Sequence, residues 1–190
     1  MITIVSGFPR SGTSMMMRIL ETGGMPVLTD GVRTPDVDNP NGYFEFEPVK
    51  TTREDSSWLA QADGRAVKMV YKLLYDLPCD RPYSIIFMQR ALKEVVASQS
   101  RMLIRLRQAP AGPSDEHTLV ETFAEEIADV RDWLRDRSCF RVLCVNYNRL
   151  VDAPAEPLAA VNAFLGGHLD EVAMSRVIDP KLYRQRGFLS

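Results

Sequence analysis

Four short apolar runs along the chain have the composition of buried strands. β-Branched and aromatic residues dominate them, and the run at 83–89 is almost continuously apolar, as in parallel strands covered on both faces. The runs lie at residues 2–6, 66–71, 83–89 and 141–147. Together they predict a central sheet.

Segments with helical spacing of apolar residues separate and follow these runs. They lie at residues 13–21, 92–107 and 119–134, in a segment opened by Asp152 and Pro154 that ends before Gly166, and in a short stretch from Asp170. The stripe through 119–134 repeats every three or four residues, which places one helix face against a core. Alternating strands and helices predict an α/β fold, with three α/β/α layers, a central parallel sheet and one domain over residues 1–190.

The predicted topology also indicates where a ligand would bind. Ligands of parallel α/β sheets bind at the carboxyl ends of the strands, so the residues that follow Ser6, Tyr71, Gln89 and Tyr147 are expected to form the site. Residues 29–42 are rich in Pro, Asn and Gly, which predicts a loop of the kind that often covers a site.

Charge and hydropathy exclude two classes of partner. The 190 residues include 23 basic and 25 acidic side chains, a net charge of −2, which gives no excess positive field for a nucleic-acid backbone. No apolar run approaches the ~18 residues of a membrane span, and the amino terminus lacks the pattern of a signal peptide. We therefore expect no nucleic-acid partner, no membrane span and a cytoplasmic location.

The three cysteines are odd in number and widely spaced. Cys79, Cys139 and Cys144 lie in or beside apolar, strand-like segments, which favours neither a disulfide framework nor a zinc site. Reduced, buried thiols are expected.

A glycine loop directly follows the first predicted strand. Gly7-Phe-Pro-Arg-Ser-Gly12-Thr13-Ser14 has the spacing of the phosphate-binding loop G-x-x-x-x-G-K-[ST], with Thr13 in place of the lysine. Its backbone N–H groups and the amino terminus of the next helix, expected to be capped by Thr or Ser, would bind an anion. The alternative is that both glycines only permit a tight turn.

Nucleotide kinases and hydrolases of this loop type need more than the loop. They use the loop lysine on the phosphates and an Asp after a later strand to help hold Mg²⁺. Here Gln89 and Arg90 follow the corresponding strand, and no such Asp is evident. A P-loop kinase or hydrolase is therefore the alternative enzyme class, and we expect no metal.

The segment Pro9–Ser14 resembles the 5′-phosphosulfate loop of the PAPS-dependent sulfotransferases, in particular the bacterial type. These enzymes move a sulfuryl group from 3′-phosphoadenosine 5′-phosphosulfate (PAPS) to a hydroxyl or amine and release PAP. The resemblance implies that Arg10 neutralises the donor and that the neighbouring loop residues hold its 5′ end. Those neighbours are Ser11, Gly12, Thr13 and Ser14.

Three further segments are similar to this family in chain order. Residues 90–98 resemble the 3′-phosphate segment of the family, which implies that Arg90 and Ser98 contact the 3′-phosphate. Arg90 would supply a charged, two-pronged donor and Ser98 a neutral donor. The segment from Val145 resembles the one whose tyrosine, here Tyr147, lies against the adenine. The tail resembles the R-K-G element that closes over the 3′-phosphate, which implicates Arg186 and Gly187, although Gln185 interrupts the pattern.

The resemblance also bears on the general base. Many members use a histidine after a lysine at a strand end, whereas Lys68 is followed here by Met and Val, and His117 and His168 are expected at the surface. Residues 39–45 are similar to the N-P-x-G-Y-F-E stretch of the bacterial type. Glu45 is therefore the candidate base.

Further residues have alternative roles. Glu47 is the fallback base, because alternate residues of an extended segment point the same way. Lys68 is expected either to stabilise the leaving oxygen or to end a strand in solvent, with Lys72 as its substitute. Arg101, Arg105 and Arg107 form a solvated helix face or serve an acidic acceptor.

The acceptor itself, a small molecule or a peptide, is not specified by the sequence. A non-catalytic anion-binding domain is the third hypothesis, beside the sulfotransferase and the P-loop kinase or hydrolase. It would keep the glycine loop without a working base.

Overall fold

The computed structural model describes residues 1–34, 36, 42–105 and 116–179. In this part of the chain a five-stranded sheet forms the centre, with the strand order β2-β3-β1-β4-β5 and every pairing parallel. The strands are β1 (Ile2–Gly7), β2 (Val27–Leu28), β3 (Ala66–Val70), β4 (Tyr83–Gln89) and β5 (Phe140–Asn146). The predicted parallel sheet is confirmed.

Helices connect the strands. They are α1 (Thr13–Thr22), α2 (Leu92–Arg105), α3 (Glu116–Arg135), α4 (Tyr147–Asp152), α5 (Ala155–Phe164) and α6 (Glu171–Arg176). Short 3₁₀ helices lie at Glu47–Thr51, Ser57–Ala60 and Tyr71–Asp76.

Alternate strand residues point to opposite faces of the sheet and build two cores. On one face Ile4, Ile85 and Phe87 pack with Val130 and Leu134, the buried end of the apolar stripe in α3. On the other face Val5, Ile86 and Met88 pack against side chains of α1, α4, α5 and α6. Helices thus cover both faces, and the predicted three-layer α/β/α architecture is confirmed.

The elements that the sequence did not predict are short or depend on a cap. β2 has two residues, and α4 has six and begins at Tyr147, directly after β5. The Asn146 side chain accepts a hydrogen bond from the backbone N–H of Arg149 at 2.9 Å and so starts α4. Asp152, expected to open the next helix, is the last residue of α4.

The expected cap of α1 is wrong. Gly12, in the left-handed region with a φ of 97°, occupies the N-cap and gives no side-chain cap, because Thr13 and Ser14 are already helical. The Ser14 hydroxyl instead donates to the carbonyl oxygen of Tyr43 at 3.2 Å. The amino terminus of α1 therefore carries no side-chain cap.

The expectation of three reduced, buried thiols is also wrong. Cys79 and Cys139 form a disulfide with a Cα–Cα distance of 5.6 Å, and Cys144 is free and exposed. Cys139 directly precedes β5, and its carbonyl oxygen accepts from the N–H of Tyr83 at 2.8 Å. Pairing of β4 with β5 thus brings together two cysteines 60 residues apart.

The disulfide also bears on the cellular compartment of the protein. Such bonds persist mainly in oxidising compartments, so this one weighs against the expected cytoplasmic location, which stays a prediction. Among the described residues no helix is both long enough and apolar enough to cross a membrane.

Candidate functional site

The carboxyl ends of β1, β3, β4 and β5 meet at one edge of the sheet. Gly7 pairs with Val70 of β3 and with Met88 of β4, so the glycine loop leaves β1 where its neighbours end. Gln89 pairs with Asn146, which places the following residues of β4 and β5 side by side. The sheet therefore brings the predicted site segments together.

The glycine loop turns sharply between β1 and α1. Gly7, Arg10 and Gly12 all have positive φ values, of 149°, 72° and 97°. A Cβ at Gly7 would lie 2.6 Å from the carbonyl oxygen of Met88, so this position needs glycine. Turn conformations of this kind direct backbone N–H groups toward one side, which is how anion-binding concavities form.

Two features of the loop favour the binding of an oxyanion. The amino terminus of α1 has neither a side-chain cap nor an acidic residue in its first turn, so no side chain of that turn offsets the positive end of the helix. The buried hydroxyl of Ser11 has no hydrogen-bond partner among the described residues and could donate to a bound anion.

Arg10, Ser98 and Arg90 form one hydrogen-bonded cluster beside the loop. Arg10 Nε donates to Ser98 Oγ at 2.9 Å, and Arg90 NH1 donates to the carbonyl oxygen of Arg10 at 3.1 Å. The residue expected at the 5′ end of the donor thus touches both residues expected at its 3′-phosphate. Their roles toward PAPS stay predictions.

Glu94 binds Arg90, and Asn148 in turn binds Glu94; the sequence indicated a site role for neither. Arg90 Nε donates to Glu94 Oε2 at 2.9 Å, and Asn148 Nδ2 donates to Glu94 Oε1 at 3.0 Å. The sequence contained a signal for Glu94, a carboxylate four residues after an arginine and next to the apolar pair Val95 and Val96. Asn148 had no comparable signal.

The ring of Tyr147 packs against the glycine loop. Its side chain is 7% exposed, and its ring lies against Gly12 and 4.5 Å from Arg90 Cζ. Burial raises the pKa of its hydroxyl, although Arg90 opposes that shift. The ring contacts protein in this structure, and its expected contact with adenine stays a prediction.

Lys68 lies on β3, the neighbour of β1 in the sheet, and its side chain reaches the first turn of α1. Its Nζ lies 3.5 Å from Ser14 Oγ and 3.6 Å from Glu45 Oε1, and it donates to the carbonyl oxygen of Tyr43. The side chain is 11% exposed, so Lys68 does not end a strand in solvent. Burial lowers its pKa to about 8, while the Glu45 carboxylate acts in the opposite direction.

Glu45 lies between two cations. Arg33 NH1 donates to its Oε1 at 2.9 Å, and Lys68 approaches the same oxygen from the sheet. The Arg33 guanidinium also stacks on the ring of Tyr43, 3.4 Å from its centroid. Arg33 lies in an irregular loop, and no sequence pattern marked it.

The substitutes considered for these two roles lie elsewhere. Glu47 begins a 3₁₀ helix, is 49% exposed and pairs with Lys50 at 2.6 Å, because the chain does not continue extended past Phe46. Lys72 is exposed and pairs with Glu126 at 3.2 Å. His117 and His168 are exposed, as expected.

Some expected residues lie outside the described part of the chain. They are Arg186, Gly187, Arg107 and the Asn39-Pro-Asn start of the motif that ends at Glu45. The expected roles of Arg101 and Arg105 stay predictions. Within the described ranges no group of three or more His, Cys, Asp or Glu side chains could hold a metal, and the expectation of a metal-free reaction stays a prediction.

Comparison with known proteins supports the fold. No family model and no curated protein sequence matches the chain. Its structure is similar to the sulfotransferase domain of the Synechococcus PCC 7002 olefin synthase, with a TM-score of 0.58 and 16% identity over 100% of this chain and 89% of that one.

Two further solved structures are similar at the same 16% identity. The sulfotransferase domain from the curacin biosynthetic pathway has a TM-score of 0.52, over 100% of this chain and 92% of that one. A sulfotransferase from Alicyclobacillus acidocaldarius has a TM-score of 0.50, over 95% and 87%. The chain thus has the fold of sulfotransferase domains.

Proposed function

We propose that this protein is a sulfotransferase that transfers a sulfuryl group from PAPS to a hydroxyl or amine of a small-molecule or peptide acceptor. The observation that carries the proposal is the cluster in which Arg10 bonds Ser98 and accepts from Arg90. It joins a loop suited to one anion to a second group of anion-binding side chains. A donor that carries phosphate groups at the 3′ and 5′ positions of one ribose needs two neighbouring anion subsites.

Binding of the donor follows from the two halves of this cluster. The loop N–H groups from Ser11 to Ser14 and the Arg10 guanidinium would hold the 5′-phosphosulfate. Arg90 and Ser98 would hold the 3′-phosphate, and Arg186 and Gly187 are proposed to close over it.

The transfer itself is an in-line displacement. The acceptor oxygen or nitrogen attacks the donor sulfur and gives its proton to the Glu45 carboxylate, while the bond between sulfur and the 5′-phosphate oxygen breaks and PAP leaves. Lys68 and Arg10 stabilise the negative charge that develops on the leaving oxygen. The transferring sulfuryl carries less negative charge than a phosphoryl, so these cations and the backbone N–H groups suffice in this proposal.

A binding and turnover experiment tests the proposal. PAP at a concentration 100 times its Kd should stabilise the fold by about 2.7 kcal/mol, a shift readily seen in thermal unfolding. Incubation with ³⁵S-labelled PAPS and a panel of alcohols, phenols, amines and tyrosine peptides should label an acceptor in the presence of EDTA. Absence of any PAP effect would contradict the proposal, and Mg²⁺-dependent ATP or GTP binding that survives Arg90→Ala would favour a kinase or hydrolase.

A further inference from the structure

A carboxylate is buried beside the proposed 3′-phosphate group. The side chains of Arg90 and Glu94 are 8% and 6% exposed, and their ion pair is 2.9 Å long. Burying an ion pair costs desolvation free energy, and a negative charge this close to an anion subsite opposes anion binding. Glu94 therefore needs a role that outweighs both effects.

The geometry of the pair fixes the direction of the guanidinium. Glu94 takes the Nε edge of Arg90, and NH1 of the same group reaches the Arg10 carbonyl oxygen at 3.1 Å. The face of the guanidinium lies 4.5 Å from the centroid of the Tyr147 ring. Two in-plane bonds and one stacked ring define a single orientation of the guanidinium.

Asn148 ties this arrangement to β5 and α4. Its Nδ2 donates to Glu94 Oε1 at 3.0 Å, and its Oδ1 accepts from the N–H of Ala91 at 3.3 Å. One amide thus connects the end of β5 to both the backbone after β4 and the carboxylate of α2. Glu94 is held by donors from two different strand ends.

We propose that Glu94 is a positioning residue, which with Asn148 orients Arg90 and so determines the preference of the site for a ligand with a 3′-phosphate. The inference rests on the proposed function, because it names the donor group that Arg90 meets. It predicts a sign opposite to that of simple electrostatics, since removing a negative charge would by itself strengthen anion binding.

The experiment compares two nucleotides that differ by the 3′-phosphate. Glu94→Gln should weaken binding of PAP about tenfold, a change of about 1.4 kcal/mol, and leave binding of adenosine 5′-phosphate within about twofold. Calorimetry on the full chain gives both values. A merely structural role would lower thermal stability without changing the ratio of the two affinities.

A reciprocal swap provides the rescue. After Glu94→Gln, the amide oxygen of the new side chain still accepts from Arg90. Its NH₂ group then faces the NH₂ group of Asn148, and two donors cannot form a hydrogen bond with each other. Adding Asn148→Asp replaces the NH₂ group at position 148 by a carboxylate oxygen, which accepts from the new NH₂ group at position 94. The other carboxylate oxygen at position 148 still accepts from the N–H of Ala91, so every hydrogen bond between positions 90, 91, 94 and 148 is restored. The double variant should recover PAP affinity to within about threefold of the original chain.

Matched variants complete the design. Glu171→Gln changes a carboxylate that accepts from Asn162 Nδ2 at 2.7 Å on the opposite face of the sheet, and should alter neither affinity. Asn148→Ala leaves the Arg90–Glu94 pair in place and should lower the PAP preference about threefold. It tests the inference even where Glu94→Gln folds poorly.

The outcomes separate the two proposals. If the unmodified chain binds neither PAP nor labelled PAPS, the proposed function fails, and the inference fails with it. If the unmodified chain prefers PAP over adenosine 5′-phosphate but Glu94→Gln keeps or increases that preference, the positioning role alone is overturned.

Discussion

The ring of Tyr147 lies directly against Gly12. A Cβ placed on Gly12 would fall 2.4 Å from Cδ2 and 2.9 Å from Cε2 of that ring, and the φ of Gly12 is 97°. Gly12, the residue directly before α1, therefore contacts the first residue of α4, more than 130 positions later in the chain. This contact connects the end of β5 to the start of α1.

Gly12→Ala is expected to destabilise the protein and weaken PAP binding, because both the backbone conformation and the space exclude a methyl group. Gly24→Ala is the matched control, since Gly24 has a φ of 98° and nothing within 4 Å of its added Cβ. The control should cost about 1–2 kcal/mol for the left-handed conformation alone. Gly12→Ala should cost about 1–3 kcal/mol more, for the clash with Tyr147.

Urea unfolding of both variants measures this difference. Equal losses of the free energy of unfolding in the two variants would show that the ring does not constrain Gly12. The midpoints should be compared at equal m-values, so that the difference reports stability alone.

Glu45→Gln should lower kcat by a factor of about 100 to 10,000 once an acceptor is known, because the amide cannot take the acceptor proton. Binding of PAP should change little. Glu47→Gln is the control, since Glu47 pairs with Lys50, whereas Glu45 contacts Arg33 and Lys68. Equal rates in both variants would show that the base lies elsewhere, and the non-catalytic hypothesis would gain support.

The lowered pKa of Lys68 predicts an alkaline limb in the pH profile. If the protonated amine stabilises the leaving oxygen, kcat/KM, which reports the free enzyme, should fall above pH 8. Lys68→Arg should be less active but should lack that limb, because a guanidinium stays charged to much higher pH. A limb unchanged in Lys68→Arg would assign it to another group.

The lowered pKa of Lys68 also makes the stability of the fold depend on pH. Between the lowered pKa of about 8 and the ordinary value of 10.5, unfolded Lys68 binds more protons than the folded side chain does. The contribution of Lys68 to the free energy of unfolding therefore rises with pH across this window and is smallest below pH 8. Lys68→Met should remove that rise in denaturation curves recorded from pH 7 to 10.

Loss of the disulfide should lower stability without affecting the site. For a separation of 60 residues, the chain-entropy model gives about 4 kcal/mol at 25 °C. The double substitution Cys79→Ser with Cys139→Ser should show this loss, whereas Cys144→Ser should not. PAP affinity should be unchanged, because the bond lies at the amino ends of β4 and β5.

Thiol titration of the native protein checks the pairing directly. One thiol should react without reductant, since Cys144 is the free cysteine. Three reactive thiols in the native state would contradict the disulfide.

The sequence predicted the main strands because parallel strands covered on both faces are apolar throughout. β4 was predicted with its observed bounds, Tyr83–Gln89. It also predicted that Arg10 and Arg90 follow two such strands, and strand register then places them together. A periodic pattern and a parallel topology were sufficient for this part of the site.

The other parts of the site and the disulfide depend on contacts that no periodic sequence pattern marks. Arg33 reaches Glu45 from an irregular loop, and Asn148 reaches Glu94 across two strand ends. The pairing of Cys79 with Cys139 follows only once β4 lies beside β5. Each of these contacts requires the tertiary arrangement that local spacing does not encode.

The position of the disulfide has a topological consequence. The loop it closes contains β4, α2 and α3, so a single cut of the polypeptide anywhere between Cys79 and Cys139 leaves one covalently joined molecule. A cut between α2 and α3 would leave Arg90 and Tyr147 on separate fragments, yet β4 and β5 would meet at the high effective concentration of a tethered pair. Such a nicked protein should hold its shape under oxidising conditions and come apart when the bond is reduced.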